Sequence, residues 1–199
     1  MFHRLKMTAA ILAISATGAL AQQTDITIGM QLEPPNLDPT GGAAAAIDEV
    51  VYANVFEGLT RFASDGAVIP GLASSWDISD DGLIYTFDLH SGVTFHDGTS
   101  FTAADAVFSL DRARAEDSTN AQKALFTEIA STEAVDDTTL VVTLSAPNGG
   151  FLFNLAWGDA VIVAPESADD LATNPVGTGP FMFSDWVQGD RVELRRNPD

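Results

Sequence analysis

The 199-residue chain contains no cysteine. Disulfides, thiolate metal sites, a cysteine nucleophile and a lipid anchor on a cysteine are therefore excluded. Basic residues are also scarce, because nine Lys and Arg stand against 28 Asp and Glu, for a formal net charge of −19. Such a surface repels phosphate backbones and anionic lipids, so we expect neither nucleic acid nor a membrane surface as a partner. Acidity alone does not identify a cationic ligand.

The sequence also lacks the short motifs of common catalytic sites. It has no Gly-x-Ser-x-Gly elbow and no His-Glu-x-x-His pair. The segment Gly177-Thr178-Gly179 lacks the lysine and the helix of a phosphate-binding loop, and Pro180 would disrupt such a helix. No pair of carboxylates is singled out by an apolar setting. We therefore predict a protein that is not an enzyme and needs no cofactor.

Two polar patterns have some resemblance to metal sites. Residues 77–88 loosely fit a calcium-binding loop, but Asp88 stands where such loops carry Glu, and the flanks indicate strands. His90 and His96 lie six residues apart across a turn and lack the helical i,i+4 spacing of a zinc motif. We interpret both patterns as structural and predict no metal.

The first 21 residues have the pattern of a secretory signal peptide. Arg4 and Lys6 precede an apolar run over residues 7–20, and Ala21 completes a small-x-small cleavage site. The run is shorter than the roughly 20 residues that a membrane span needs, and no later stretch is longer. We expect cleavage after Ala21 and a periplasmic protein; an N-terminal membrane anchor is the alternative.

The densest local signals lie in Gly71–Leu110. Leu83–Leu89 is rich in β-branched and aromatic residues and is flanked by Asp-Gly and Ser-Gly turn dipeptides, which predicts a strand. Val93–Phe95 predicts a second, short strand. Thr102 then caps a helix whose first turn carries Asp105. The unit is thus strand, turn, strand, turn and capped helix.

Periodicity and turn residues predict the remaining elements. Three prolines within Glu33–Pro39 exclude a strand there and predict a loop. Gly58 is predicted to end the first helix in a left-handed conformation. Helices are predicted over residues 43–56, 121–130 and 148–157, and strands over residues 25–30, 60–63, 67–69, 133–135, 138–144, 160–163, 181–186 and 191–195.

The Gly71–Leu110 run resembles the signature of the family-5 solute-binding proteins of ABC transporters, which include peptide, opine and nickel binders. Ala106 stands where the family usually has Val, and His90 where it often has Arg. The matching residues are Gly71, Leu72, Ala73, Ser75, Trp76, Asp81, Gly82, Tyr85, Thr86, Phe87, Leu89, Gly92, Val93, Phe95, Asp97, Gly98, Thr102, Ala103, Asp105, Phe108 and Ser109.

Shorter matches to the same family lie towards both ends of the chain. They are Leu37-Asp38-Pro39, Phe56-Glu57-Gly58-Leu59, the Pro175–Phe181 segment and Asn197-Pro198. The glycines of the Pro175–Phe181 segment let the backbone pass where a side chain would clash. The family normally continues the last motif for several hundred residues, so we interpret the chain as an N-terminal fragment.

The resemblance implies an α/β, periplasmic-binding-protein-like (type II) fold with two lobes. Of this fold, we expect the chain to hold most of the first lobe and its inserted subdomain. Residues 22–57 and 159–199 are assigned to the first-lobe core, and residues 58–158 to the inserted α/β subdomain. The second lobe, which closes over the ligand in the family, is expected beyond Asp199.

The implied function is that of the periplasmic substrate-binding component of an ABC importer. Such a protein closes its lobes around a peptide or similar small solute and delivers it to the membrane permease. We expect a monomer. The alternatives are a secreted acidic hydrolase and a peptide-binding receptor or chaperone that is not coupled to transport. Peptides, opines, oligosaccharides and metal chelates all remain possible ligands.

Three residues are predicted to contact the ligand: Glu33, Trp157 and Asp159. Glu33 lies in a loop after a predicted strand, a common place for ligand contacts in α/β folds; its alternative role is a solvated charge. Trp157 lies near the return to the first lobe, where it either lines the cleft or packs in the core. Asp159 is predicted to pair with a charge on the ligand.

Overall fold

The computed structural model describes residues 24–198. The predicted signal peptide, residues 1–21, lies outside the described residues. The chain divides into two compact units after Met30, and the described part of the first unit, residues 24–30, has no regular secondary structure. The predicted strand over residues 25–30 is therefore wrong. Alternation assigns side chains to faces, but a strand also needs a partner, and no described strand pairs with this segment.

All helices and strands of the described residues lie in the second unit. None of the described helices is long and apolar enough to cross a membrane. The helices are α1 (Ala45–Val51), α2 (Ala103–Arg114) and α3 (Phe151–Asn154), with 3-10 turns at Lys123–Phe126, Gly158–Ala160 and Pro165–Ser167. The strands are β1 (Thr60–Phe62), β2 (Val68–Pro70), β3 (Ala73–Ile78), β4 (Ile84–Leu89), β5 (Ile129–Asp136), β6 (Thr139–Leu144), β7 (Phe181–Val187) and β8 (Arg191–Arg196).

The largest sheet is antiparallel with the strand order β3-β4-β6-β5, and β1-β2 and β7-β8 form separate hairpins. In β4 and β6 every second side chain is buried, as a sheet with one covered face requires. The predicted hairpins are confirmed. Helix α2 packs against β5 and β6, and its predicted cap is confirmed, since the Thr102 N–H donates to Asp105 Oδ2 at 2.7 Å.

Helix α1 ends at Val51, so the prediction of a helix to residue 56 is wrong. Tyr52 is extended, and Ala53 has a positive φ of 57°, so the backbone leaves the helical conformation before the predicted end at residue 56. Gly58 is not among the described residues with positive φ. Its predicted left-handed conformation is therefore also wrong.

The predicted helix over residues 121–130 is replaced by the 3-10 turn Lys123–Phe126 and the start of β5. The Oδ1 atom of Asn120 accepts the Gln122 backbone N–H at 2.8 Å. This local hydrogen bond competes with the first turn of a helix. The short strands predicted over residues 93–95 and 160–163 are reduced to single bridges, Thr94 to Ser100 and Gly58 to Val161.

Residues 160–164 separate two hydrophobic cores within the second unit. Ile162 and its alternate neighbours belong to the larger core, which covers the four-stranded sheet and α2. Val161 and Val163 belong to the smaller core, which contains α1 and receives side chains of the β7-β8 hairpin. Successive side chains of this segment therefore point to opposite sides, as in a β-strand, and both sides are buried. The segment nevertheless forms only one β-bridge, from Val161 to Gly58.

Candidate functional site

Trp157 follows the short helix α3 and lies on the surface. Its side chain is 40% exposed and Phe153 is 46% exposed. The Trp157 ring contacts Phe62 and Phe153 edge-on, with centroid distances of 6.5 and 6.2 Å. The three rings therefore form an exposed aromatic cluster, and Trp157 packs on other rings without being part of a closed core.

Asp159, two residues further on, is 6% exposed. Burial, and secondarily the charge of Asp48 in α1, raises the pKa of Asp159 to about 6, although backbone N–H groups of Asp159 and Gln122 oppose the shift. Burial also raises the pKa of Asp48. None of the ion pairs in the described part of the chain involves either carboxylate. The pair is thus negative, poorly hydrated and without a cation.

The backbone around this pair is held from three elements. The Tyr52 hydroxyl donates to the Ala156 carbonyl at 2.5 Å, and Asn120 Nδ2 donates to the Asp159 carbonyl at 2.9 Å. A Cβ on Gly158 would lie 2.7 Å from Asp48 Oδ1, so only glycine lets this carboxylate approach. We call Asp48, Asp159 and the aromatic cluster of Phe62, Phe153 and Trp157 the candidate site.

We expect Asp159→Asn to stabilise the protein above pH 6. The folded-state pKa is raised from 3.8 to about 6, so the folded protein binds more protons than the unfolded chain between these values, and this carboxyl group lowers stability as pH rises through them. The amide should increase the free energy of unfolding by about 1–3 kcal/mol at pH 7.5 and by little at pH 4. Denaturant titrations at both pH values provide the measurement.

The exposed carboxylate Asp169 supplies the control, because Asp169→Asn removes the same charge from the surface. It should change stability by less than about 0.5 kcal/mol at either pH. Equal stabilisation by both variants would attribute the effect to net charge and would contradict an unfavourable environment at Asp159.

Glu33 lies away from the candidate site's elements, in the loop before α1. Its Oε1 atom accepts the Trp186 indole N–H at 3.0 Å and the Gly189 backbone N–H at 2.8 Å. The carboxylate thus ties the loop to the β7-β8 hairpin. No described contact joins Glu33 to Trp157 or Asp159, so the structure brings together two of the three predicted ligand residues.

Sequence reasoning missed Asp48 and Asn120 as neighbours of Asp159. Neither residue belongs to a sequence motif. Both residues are far from Asp159 in the chain, so no local sequence pattern could have indicated these contacts.

His96, which is predicted to have a structural role, is half-buried. Its Nε2 donates to the Gly179 carbonyl at 2.9 Å, and its Nδ1 accepts the Gly177 N–H at 3.3 Å.

Comparison with known proteins gives consistent matches. The family model described as bacterial extracellular solute-binding proteins, family 5 Middle, matches residues 67–199. The glutathione-binding protein GsiB of Pectobacterium atrosepticum is 37% identical over 198 residues, which cover 98% of this chain and 38% of that protein. The chain therefore spans well under half the length of this relative.

Solved structures are similar over most of the described residues. The periplasmic binding protein AgaA of A. tumefaciens R10, in complex with agropinic acid, has a TM-score of 0.77 at 32% identity, covering 82% of this chain and 34% of its own. The ABC transporter-associated periplasmic binding protein DppA of Helicobacter pylori, in complex with the peptide STSA, has a TM-score of 0.76 at 32% identity, covering 84% and 38%.

Proposed function

Because the chain belongs to the family-5 bacterial extracellular solute-binding proteins, we propose that it is the first-lobe part of the substrate-binding component of an ABC importer. The family consists of proteins that bind peptides or other small solutes and work with an ABC permease. Their fold is the two-lobed type II periplasmic-binding-protein fold, and the described α/β structure corresponds to part of it.

The mechanism we propose is closure of two lobes around a peptide-like solute. The closed form is the one that the permease binds, so ligand affinity shifts a population and no bond is made or broken. We propose that the second lobe lies beyond Asp199. We assign residues 22–57 and 159–199 to the first-lobe core and residues 58–158 to the inserted subdomain.

The observation that carries a ligand role is the pair Asp48 and Asp159. Two carboxylates without a cation, one of them nearly fully buried, are an unfavourable arrangement that a positively charged ligand group would relieve. Aromatic surface beside them suits an apolar side chain. Both features fit a peptide with a free ammonium group, with Asp159 as its charge partner and Trp157 as a wall of the cleft.

Glu33 is kept as a third proposed contact. Both hydrogen bonds that it accepts end on Oε1, which leaves Oε2 as the oxygen assigned to the ligand. Its hold on the β7-β8 hairpin would make that position rigid, and rigid placement lowers the entropic cost of binding.

Trp157→Ala is expected to weaken ligand binding by about tenfold or more, equivalent to about 1.4 kcal/mol, in the protein that includes the second lobe. The ring is exposed and has edge contacts only, so its loss should lower Tm by only a few degrees. Isothermal titration with glutathione and with a dipeptide, together with a thermal melt, provides the test. Glutathione is chosen because the GsiB relatives are named for binding it.

Trp76→Ala is the matched control. Trp76 packs against the larger core and contacts Phe87 at a centroid distance of 6.4 Å. Its loss should lower Tm more than Trp157→Ala does and leave the dissociation constant unchanged. An unchanged affinity with a large loss of Tm in Trp157→Ala would contradict the cleft role and support packing.

The other assignments are proposals of the same kind. We propose a monomer in the periplasm, exported by a signal peptide cleaved after Ala21, with no catalytic activity. A secreted hydrolase would instead turn over a substrate and lose turnover when a catalytic pair is changed. A receptor or chaperone would bind peptides without a permease, so a permease gene beside this one distinguishes it from the importer component.

A further inference from the structure

A concavity lies beside the β1-β2 hairpin, and its lining includes none of the residues of the candidate site. It has a volume of about 550 Å³, within the range of roughly 300–1,000 Å³ typical of small-ligand pockets. Its walls come from the segment after α1, the β1-β2 hairpin and the turn after β4. The side chains that carry its chemistry are Glu57, Arg61, His90 and Tyr52.

The charged groups in this pocket do not neutralise one another. Arg61 takes part in none of the ion pairs among the described residues, although the chain has a large excess of acidic side chains. Its Nε instead donates to the Pro70 carbonyl at 3.0 Å, which orients the guanidinium. Glu57 Oε2 accepts the Thr178 hydroxyl at 3.0 Å, so this carboxylate is also fixed. Arg61 and Glu57 therefore line the same pocket without forming an ion pair with each other.

Ala53 adds an independent feature to the same wall. It is the one described non-glycine residue with a positive φ, 57°. An L-residue with a side chain adopts this conformation at an energetic cost, and such residues concentrate where a binding surface requires a particular backbone shape. Ala53 itself lines the pocket, four residues before Glu57.

We propose that this pocket binds a small zwitterion, of the size of a free amino acid or a dipeptide. Its carboxylate would lie on Arg61 and His90, because a guanidinium and an imidazole both offer N–H donors. Its ammonium group would lie on Glu57. The pocket has its own charged side chains, since Arg61 of β1 lines it and the next residue, Phe62, contacts Trp157 of the candidate site. Tyr52 lies between the two sites, because it lines the pocket and its hydroxyl donates to the Ala156 carbonyl.

Chemical-shift titration of the isotope-labelled full-length protein with L-alanine tests the proposal. The backbone amides of Gly58 and Gly71 should shift and the Trp157 indole N–H should not. Acetate and ethylammonium, each with one of the two charges, should bind at least about tenfold more weakly than L-alanine. No saturable shift at these amides, or shifts at the Trp157 indole alone, would overturn the proposal.

Substitutions test which side chain binds each charged group of L-alanine. Arg61→Met should weaken L-alanine binding about tenfold or more, whereas Arg196→Met, which removes an equal charge from exposed β8, should not change it. Glu57→Gln keeps an oxygen for Thr178 and should abolish the preference for L-alanine over acetate. Wild-type affinity in Arg61→Met overturns the proposal.

Binding of glutathione at the candidate site shows whether the two sites are independent. Arg61→Met should leave glutathione affinity unchanged, and Trp157→Ala should leave L-alanine affinity unchanged. If either variant lowers both affinities equally, L-alanine occupies the cleft and the second site is refuted. Failure of glutathione to bind would count against the proposed importer ligand and would leave the L-alanine result standing.

Discussion

Gly177→Ala is expected to prevent folding or to lower the free energy of unfolding by more than about 4 kcal/mol, because nothing near this glycine can move aside. A Cβ added at Gly177 would lie 2.1 Å from the Val55 carbonyl oxygen and 2.8 Å from Phe56 Cδ1. The first contact is with backbone, and the Gly179 N–H also donates to that oxygen at 2.9 Å. Relief would therefore require separating the Pro175–Phe181 segment from the chain after α1.

Gly149→Ala is the control for this prediction. Gly149 is exposed, and a Cβ there would meet no atom within 4 Å, so its stability should change by less than about 0.5 kcal/mol. Circular dichroism melts and soluble yield of the two variants give the comparison. A Gly177→Ala protein that melts within a few degrees of the wild type would show that the contact between these segments yields easily.

Arg112→Met is expected to lower the free energy of unfolding by about 2 kcal/mol, because it leaves Asp38 without its partner. Arg112 Nη2 and Nη1 donate to the two Asp38 oxygens at 2.6 and 3.3 Å. The side chains are only 24% and 15% exposed, so solvent screens the pair less than a surface pair. The bond joins the loop before α1 to helix α2, and Thr40 contributes to the same network.

A double-mutant cycle with Asp38→Asn measures the interaction. The double variant should lose less stability than the sum of the two single losses, because each single variant already removes the interaction between Asp38 and Arg112. Arg191→Met is the control: its ion pairs are half-exposed, so the loss should be below about 1 kcal/mol. Additive losses in the cycle would mean that Asp38 and Arg112 contribute separately.

Strand β4 and helix α2 were predictable because their signals are local, whereas β3, which pairs with β4, was not predicted. Turn dipeptides bound β4, β-branched and aromatic residues fill it, and Thr102 with Asp105 three residues later forms the capping box of α2. The same dense pattern carried the family resemblance, which the matching model confirms. Predictions failed where a local pattern needed a distant partner, as over residues 25–30, which do not form a strand, or where a side chain competed with the helix, as at Asn120.

The candidate site was predictable only in part. Trp157 and Asp159 are two residues apart in the chain, and both lie at the predicted boundary of the first lobe, which is why they are predicted together. Asp48 was missed because 3.6-residue periodicity places it on the polar side of α1 without saying what lies opposite. Glu33 is predicted as a ligand contact in a loop, and its hydrogen bonds to Trp186 and Gly189 depend on the position of the β7-β8 hairpin, which no local pattern reports.

The hairpins, the capped helix, the acidic character and the family could be inferred from the order of residues, because they follow from composition, from local motifs and from interactions within a few residues. Three contacts depend on the folded chain: Asp159 lies beside Asp48, Asp38 pairs with Arg112, and Gly177 packs on the Val55 carbonyl. Each of these contacts joins residues far apart in the chain. Their proximity results from burying two cores at once, and no periodicity along the chain encodes that arrangement.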